Sequence, residues 1–297
     1  MDKQKKNMLM ILASMGSVTT TVVLLLLKAF AFIGTGSVAI LSSLFDSVQD
    51  FMTSLINMVA VRHAIRPADT MHRFGHGKAQ GIGCLLQAFI IAGSSVLLLV
   101  ESILHLIDLK EVQHVSLGII VIVISLILTG LLVTFQNYVV RQTGSLSIKA
   151  DRAHYSGDVL MNIGVVISLV ASSYFGVRWV DGVFGIGVSL YLFYSVWYMM
   201  QEACALLMDH ELSSEIRQDI RRQALSIAMV KSVSGLKTRE GGNRQFVQFN
   251  VQFDGKVSLQ EAHDSLDEIE QLLRKKYPDM EVIIHAEPTN KQGARKK

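Results

Sequence analysis

Six apolar segments fill the first 207 residues of this 297-residue chain, and each is long enough to cross a lipid bilayer. A helix needs about 20 apolar residues to span the hydrocarbon core. After Leu207 the sequence becomes polar and mixed in charge. This asymmetry predicts six transmembrane helices in residues 1–208 and a soluble domain in residues 209–297. The segments are Met8–Ile33, Val38–Val61, Ala79–Ile107, Val115–Val139, Ile148–Phe175 and Trp179–Leu207.

Basic residues between these segments predict the orientation of the chain in the membrane. Ten lie on the side that includes the N-terminus, whereas only Lys110 and Arg178 lie on the other side. Short loops rich in Lys and Arg face the cytoplasm, so both termini are predicted to be cytoplasmic. The ten are Lys3, Lys5, Lys6, Arg62, Arg66, Arg73, Lys78, Arg141, Lys149 and Arg152.

Charge and cysteine content exclude two other classes of protein. The net charge of +3 is small and the basic residues form no single face, so nucleic acid is not expected as a partner. The two cysteines, Cys84 and Cys204, lie in separate apolar segments without CxxC spacing. Neither a disulfide framework nor a thiolate zinc site is therefore predicted.

The polar C-terminal region predicts a small α+β domain with the order αββαβ. Periodicity favours helix, strand, strand, helix and strand in turn, and Ser258 with Glu261 forms a capping box for the second helix. This is a ferredoxin-like arrangement that lacks one strand. The last residues, from Asn290, are predicted to be a short disordered tail. The elements are Ser213–Met229, Val230–Arg239, Gln245–Phe253, the helix from Ser258 to Pro278, and Met280–Ala286.

Two of the apolar segments carry pairs of metal-ligand side chains at helical spacing. Asp46 and Asp50 lie one turn apart in the second segment, and His154 and Asp158 repeat that spacing in the fifth. A carboxylate at membrane depth is costly unless it meets a cation, a proton or a partner. Neither segment offers a basic residue within reach of the aspartates. Packed together, the pairs supply three carboxylates and one imidazole, which suits tetrahedral Zn²⁺; buried salt bridges or a helix cap are the alternative.

The composition of this ligand set favours an ion that is released again. Structural zinc sites are usually closed and rich in Cys, whereas carboxylates with one His bind more weakly. The unperturbed pKa of His, about 6.5, lets protons compete with the metal near physiological pH. We therefore expect proton-coupled transport of a divalent metal. Two alternatives are an intramembrane metallohydrolase, disfavoured by the lack of an HExxH motif, and a membrane-tethered metal sensor without flux.

Two further groups of residues have metal-binding character. The loop after the second segment holds Asp69, His72 and His76 within eight residues, which fits a three-ligand site or a solvated loop. In the soluble domain, His285 and Glu287 alternate onto one face of the last predicted strand. A site between these two residues and His263 on the preceding helix is geometrically feasible, although exposed His residues are common.

Together these motifs resemble the cation diffusion facilitator family. The resemblance rests on six spans, AspxxxAsp in the second, HisxxxAsp in the fifth, the loop HisArgPheGlyHisGlyLys and the αββαβ tail, and covers nearly the whole chain. It implies a homodimer in the bacterial inner membrane, with no organic cofactor. Such a protein expels Zn²⁺, and also Fe²⁺ or Cd²⁺, in exchange for protons by alternating access. Zn²⁺ would be both its substrate and a regulatory ligand.

The resemblance also implies roles for individual residues. Lys78 and Asp209 match a charge interlock near the dimer contact, although Lys78 alone would be interpreted as a flanking lysine. The family's binuclear zinc site between soluble domains uses further histidines, where this chain has Ser234 and Asn250. This departure implies a weaker or single-ion site. The implied sites are Asp46, Asp50, His154 and Asp158 for transport, Asp69, His72 and His76 in the loop, and His263, His285 and Glu287 in the soluble domain.

Overall fold

Six long helices make up the N-terminal part of the fold. The computed structural model describes residues 3–35, 38–107, 116–175, 179–242 and 244–289. Each long helix covers one of the apolar segments, because uninterrupted apolar sequence without proline sustains helix over these lengths. The helices are α1 Lys3–Thr35, α2 Val38–Ala64, α3 Ala79–Ile107, α4 Ser116–Thr143, α5 Leu146–Phe175 and α6 Val180–Leu207.

Four of these helices contain a stretch long and apolar enough to cross a membrane, within the described residues. They are Gln4–Gly34, Ala79–Ile107, Ile122–Thr143 and Gly182–Leu207. Helices α2 and α5 are not among them, because charged side chains such as Asp50 and Asp158 interrupt their apolar character. The prediction of six spans therefore stays a prediction for these two helices. Lys110 and Arg178, on which the predicted orientation depends, lie outside the described residues.

The chain divides into two compact units. The first comprises Met1–Arg66 and Ala79–Cys204, and the second comprises Pro67–Lys78 and Ala205–Lys297. The predicted division at residues 208 and 209 places the loop 67–78 in the membrane domain, whereas the structure groups it with the C-terminal unit. The reason is aromatic packing, since the ring of Phe74 meets the ring of Phe246 edge to face, with centroids 5.5 Å apart.

Close helix approach in the first unit depends on small residues. A Cβ placed on Gly83 of α3 would lie 2.4 Å from Cβ of Ala60 on α2, too close for any side chain. In contrast, a Cβ placed on Gly93, on the same helix, meets nothing within 4 Å. Small residues of this kind let membrane helices pack closely. Gly83 therefore fixes how near α3 lies to the helix that carries Asp50.

We expect Gly83→Val to destabilise the helical unit and Gly93→Val to do so much less. Overpacking at a tight contact costs about 1–3 kcal/mol, whereas both variants share the cost of a β-branched residue in a helix. The measurement is the thermal unfolding midpoint of each purified variant in the same detergent. Equal midpoints for the two variants would contradict the close contact between α2 and α3.

The C-terminal unit contains the predicted αββαβ order. Its strands form one sheet in the order β1-β2-β3, with β1 antiparallel to β2 and β2 parallel to β3. Side chains of Phe249, Ile269 and Leu273, all fully buried, form the centre of its core. The elements are α7 Ser214–Leu225, β1 Ser232–Glu240, β2 Gln245–Phe253, α8 Leu259–Lys276 and β3 Met280–Pro288.

Both predicted helix starts in this unit are confirmed. The Ser213 side chain accepts a hydrogen bond from Ile216 N at the start of α7. At α8, Ser258 and Glu261 form the expected reciprocal capping box. These bonds satisfy backbone N–H groups that a helix start leaves without partners. Asn243 in the predicted hairpin turn and the tail 290–297 lie outside the described residues.

Candidate metal-binding site

Three of the four ligand residues predicted in the apolar segments come together between α2 and α5. Nε2 of His154 lies 3.1 Å from Oδ1 of Asp50 and 3.9 Å from Oδ2 of Asp158. One ligand atom from each of these three residues lies within 4.8 Å of the others. The His154 side chain is 8% exposed and that of Asp50 is 17% exposed. The cluster is thus preformed, mostly withdrawn from solvent and of a size that suits one ion.

The fourth residue, Asp46, stands apart from this group. It lies one turn before Asp50 on α2 and is exposed. Its carboxylate is not among the ligand atoms within 4.8 Å of one another, although α2 presents it on the same face as Asp50. The arrangement therefore gives three ligands in contact and a fourth carboxylate close by.

Two hydrogen bonds fix α2 beside its neighbours at the level of the cluster. Oγ of Ser54, one turn after Asp50, lies 2.5 Å from the hydroxyl oxygen of Tyr155 on α5. Tyr155, next to His154 in sequence, is 1% exposed. On the other side of α2, Nε2 of Gln49 donates to Oγ of Ser94 on α3 at 2.5 Å. Polar side chains thus hold the ligand-bearing helices in register.

A buried carboxylate that the sequence interpretation did not single out lies one turn before His154. Asp151 is 0% exposed and its Oδ2 accepts hydrogen bonds from Oγ of Ser17 on α1, at 2.5 Å, and from Nε2 of Gln136 on α4, at 2.7 Å. Its Oδ1 has no hydrogen-bond partner among the described residues. This network joins three helices beside the cluster. In the sequence, Asp151 is visible only as a further acidic residue in the KADRAH segment that carries His154.

A second residue that sequence interpretation missed is the lysine in the first apolar segment. Nζ of Lys28 on α1 donates to the backbone carbonyl of Ser43 on α2 at 3.1 Å. Ser43 lies one turn before Asp46. No basic residue of α2 or α5 was expected near the aspartates, and the lysine found one turn from Asp46 comes from a third helix, α1. Lys28 was visible as a single charge within a run of leucines.

The loop between α2 and α3 also brings its predicted residues together. The Asp69 carboxylate lies 3.3 Å from Nδ1 of His72 and 3.3 Å from Nε2 of His76, and the two imidazole centroids are 4.5 Å apart. One ligand atom from each residue lies within 4.8 Å of the others. Gly75 makes the turn possible, since its φ of 84° lies in the left-handed region that glycine tolerates.

Hydrogen bonds to the loop carboxylate keep it ionised. Oδ1 of Asp69 accepts the backbone N–H groups of Met71 and His72, at 2.9 and 2.6 Å. The bond from His72 is the main reason that the pKa of Asp69 lies below its usual 3.8, and the nearby imidazoles add to the effect. A lowered pKa means that these bonds stabilise the turn fully above about pH 3.8 and are lost as the pH falls through the lower, folded value.

Lys78 and Asp209 form the ion pair that the family resemblance implied. Nζ of Lys78 lies 3.0 Å from Oδ1 of Asp209 and donates to the carbonyl of Leu207 at 3.1 Å, where α6 ends. Arg239 approaches the same Asp209 oxygen at 3.1 Å. Partial burial opposes ionisation of Asp209, but hydrogen bonds from Lys78 and Arg239 outweigh it and lower the pKa of its carboxyl group. The charge interlock itself concerns a dimer and stays a prediction.

The three predicted ligands of the soluble domain are not gathered into one group. His263 lies 3.7 Å from Asp267 on its own helix and is mostly exposed. Nε2 of His285 lies 4.0 Å from Oε1 of Glu287 on β3. The same Glu287 oxygen accepts a hydrogen bond from Nδ2 of Asn250 at 3.2 Å. Within the part of the chain that the structure describes, only the α2–α5 cluster and the loop cluster bring three such ligands together.

Comparison with known sequences identifies the family. Residues 14–208 match the profile of the cation efflux transmembrane domain. The adjoining residues 212–289 match that of the cation efflux protein, cytoplasmic domain. The chain belongs to the cation diffusion facilitator family. As a member of the cation diffusion facilitators, it is a multi-helix membrane protein and a cation efflux transporter, which favours transport over the metallohydrolase and sensor alternatives.

Its similar relatives are bacterial cation-efflux pumps named FieF. The protein of Pectobacterium atrosepticum is 36% identical over 282 residues, or 95% of this chain and 94% of that protein. The protein of Klebsiella pneumoniae strain 342 is 38% identical over 90% of this chain and 89% of its own. A solved structure of the zinc form of CzrB, a candidate zinc transporter, matches 30% of this chain and all of its own at 34% identity. Its TM-score of 0.27 is too low to support an argument about the fold.

Proposed function

We propose that this cation diffusion facilitator exports Zn²⁺ from the cytoplasm in exchange for protons, as a homodimer in the bacterial inner membrane. Fe²⁺ and Cd²⁺ are further substrates in this proposal. Both termini are cytoplasmic, and all six long helices cross the membrane. The observation that carries the proposal is the cluster of Asp50, His154 and Asp158 between α2 and α5. The efflux activity of the family supplies the direction of transport.

The ligand set supports zinc as the main substrate. An all-oxygen site suits Mg²⁺, Ca²⁺ or Mn²⁺, whereas imidazole suits Zn²⁺, Cu²⁺ and Fe²⁺. Nε2 of His154 is the nitrogen that faces the two carboxylates, at 3.1 and 3.9 Å. Three protein ligands leave one tetrahedral position, which Asp46 on the next turn of α2 can fill by a small rearrangement. The absence of Cys from the cluster keeps the ion exchangeable.

The same imidazole supports coupling to protons. A metal ion binds only to an unprotonated ring nitrogen, so loading the site with metal and loading it with protons exclude each other. The carboxylates beside His154 hold either cation by charge. Alternate exposure of this cluster to the two sides of the membrane then exchanges metal for protons.

The proposal is tested by flux across a panel of metals. Purified protein is reconstituted in proteoliposomes with a fixed pH gradient, and uptake of Zn²⁺, Fe²⁺, Cd²⁺ and Mn²⁺ is followed with a fluorescent indicator. We expect zinc uptake that stops when an ionophore collapses the pH gradient. Zinc binding without uptake would contradict transport by this chain. Uptake that ignores the pH gradient would contradict proton coupling, and faster uptake of Mn²⁺ would contradict the choice of metal.

In the same proposal the loop cluster binds a regulatory metal ion. We expect Asp69→Ala to lower the zinc content of the purified protein by one ion per chain, because it removes the anionic ligand between His72 and His76. A matched control is Asp254→Ala, since Oδ1 of Asp254 also accepts a backbone N–H in an exposed turn, at 3.0 Å. The measurement is zinc per chain by mass spectrometry after dialysis at neutral pH. Equal zinc content in both variants would contradict the loop site.

A further inference from the structure

Lys28 is a cation placed within a helix that is otherwise suited to lipid. It lies in the stretch Gln4–Gly34, which is apolar enough to cross a membrane. A lysine there is costly unless it pairs with a negative group. Its Nζ donates to the Ser43 carbonyl at 3.1 Å, so the ammonium sits one turn from Asp46 along α2. Helix α1 packs extensively on α2, which holds the ammonium at that position.

The charge of Lys28 acts on the carboxylates of the proposed transport site. The Lys28 charge attracts the Asp46 carboxylate, whereas Asp50 and Glu101 from α3 repel it. Its charge also reaches Asp158, where His154 and Asp50 act more strongly. Lys28 therefore interacts with carboxylates on both helices that form the site, α2 and α5.

An ammonium group affects a metal site through its charge and its hydrogen bonds, not as a ligand. It has no free electron pair and cannot coordinate a metal ion. Three carboxylates carry one more negative charge than Zn²⁺ neutralises, and Lys28 supplies the balancing positive charge. The same charge repels an incoming divalent cation, by an amount that grows with the charge of the ion.

We propose that Lys28 is a built-in counter-cation that weakens divalent-metal binding at the site of Asp46, Asp50, His154 and Asp158 and thereby speeds release of the metal. This inference rests on the proposed function and specifies what sets the affinity of its site. A transporter benefits from such a group, since an ion held too tightly limits turnover. Removing the Lys28 charge should tighten metal binding and slow transport. Loss of a metal ligand should instead weaken metal binding while it slows transport.

The test replaces Lys28 by neutral and charged side chains. In Lys28→Met we expect Zn²⁺ to bind at least tenfold more tightly, because repulsion between a unit charge and a divalent ion at an effective dielectric constant near 20 exceeds a factor of ten in affinity at separations up to about 20 Å. We expect the maximal zinc flux to fall in the same variant. Lys28→Arg keeps the charge and should resemble the original protein. Lys28→Gln repeats the neutral test with a side chain that can still donate to the Ser43 carbonyl, in case the methionine variant folds poorly.

Affinity is measured in detergent at fixed ionic strength by competition with a chromophoric chelator, and flux is measured in proteoliposomes. Unchanged or weaker zinc binding in both neutral variants overturns the inference. So does a Lys28→Arg variant that binds zinc as tightly as the neutral variants do. If the unmodified protein transports zinc and these variants do not differ from it, the inference fails while the proposed function stands.

Discussion

Asp50→Asn is expected to reduce proton-driven zinc uptake to the level of empty liposomes. The carboxylate is the metal-ligand group nearest to Nε2 of His154, at 3.1 Å, and an amide of the same shape has neither its charge nor its basicity. Loss of second-sphere partners alone costs about 10–100-fold in metal affinity, so loss of a ligand should cost more. The measurement is the initial rate of zinc uptake, with zinc affinity determined on the same preparation.

The chain offers a matched control for this variant in Glu101→Gln. Glu101 is an exposed carboxylate on α3 and belongs to neither ligand cluster. The neutral variant should keep uptake within about threefold of the original, because Glu101 supplies no ligand atom to the cluster and only its repulsion of the Asp46 carboxylate is lost. If Asp50→Asn transported zinc at the original rate, the cluster between α2 and α5 could not be the transport site.

Asp151→Ala is expected to destabilise the helical unit by about 1–3 kcal/mol, because it removes a buried acceptor that two donors share, although Ser17 can still donate to the Ala13 carbonyl and Gln136 to Ser17. The substitution leaves Oγ of Ser17 and Nε2 of Gln136 without the carboxylate that they now share. All three residues are fully buried, so water cannot replace the lost acceptor easily. The measurement is the thermal unfolding midpoint in detergent, and the folded fraction is expected to bind zinc with nearly unchanged affinity.

The informative comparison is with Asp158→Asn, which should show the opposite pattern. Asp158 faces His154 but is a third exposed, so its amide should leave the midpoint nearly unchanged while zinc affinity falls steeply. Asp151 and Asp158, which flank His154 on α5, would thus have separate roles. Asp151 would hold helices together, and Asp158 would bind the metal ion. If Asp151→Ala lowered zinc affinity as much as Asp158→Asn, the two residues would belong to one functional unit.

The helices, the loop cluster and the helix face shared by His154 and Asp158 could be predicted because they depend on local sequence, whereas the approach of Asp50 to His154 depends on how α2 packs on α5. Long apolar runs determine where α1 to α6 lie, and i,i+4 spacing places His154 and Asp158 on one face whatever the surroundings. The loop cluster is also local, since Asp69, His72 and His76 are close in sequence and Gly75 permits the turn. The αββαβ order follows from periodicity and from the capping side chains of Ser213 and Ser258.

The residues that sequence interpretation missed depend on contacts between distant segments. Lys28 reaches the carboxylate region only because α1 packs on α2, and no spacing within α1 indicates that approach. Asp151 meets Ser17, which precedes it by 134 residues. The loop 67–78 joins the C-terminal unit through Phe74 and Phe246, a pairing that hydropathy cannot reveal. Tertiary packing, not propensity, decides each of these.

The hydrogen bond from Asn250 to Glu287 bears on how the soluble domain responds to the cell's metal supply. A carboxylate already engaged by an amide needs no ion to hold its position, so strands β2 and β3 stay joined at that point whether zinc is scarce or abundant. This contact between β2 and β3 therefore needs no bound metal ion.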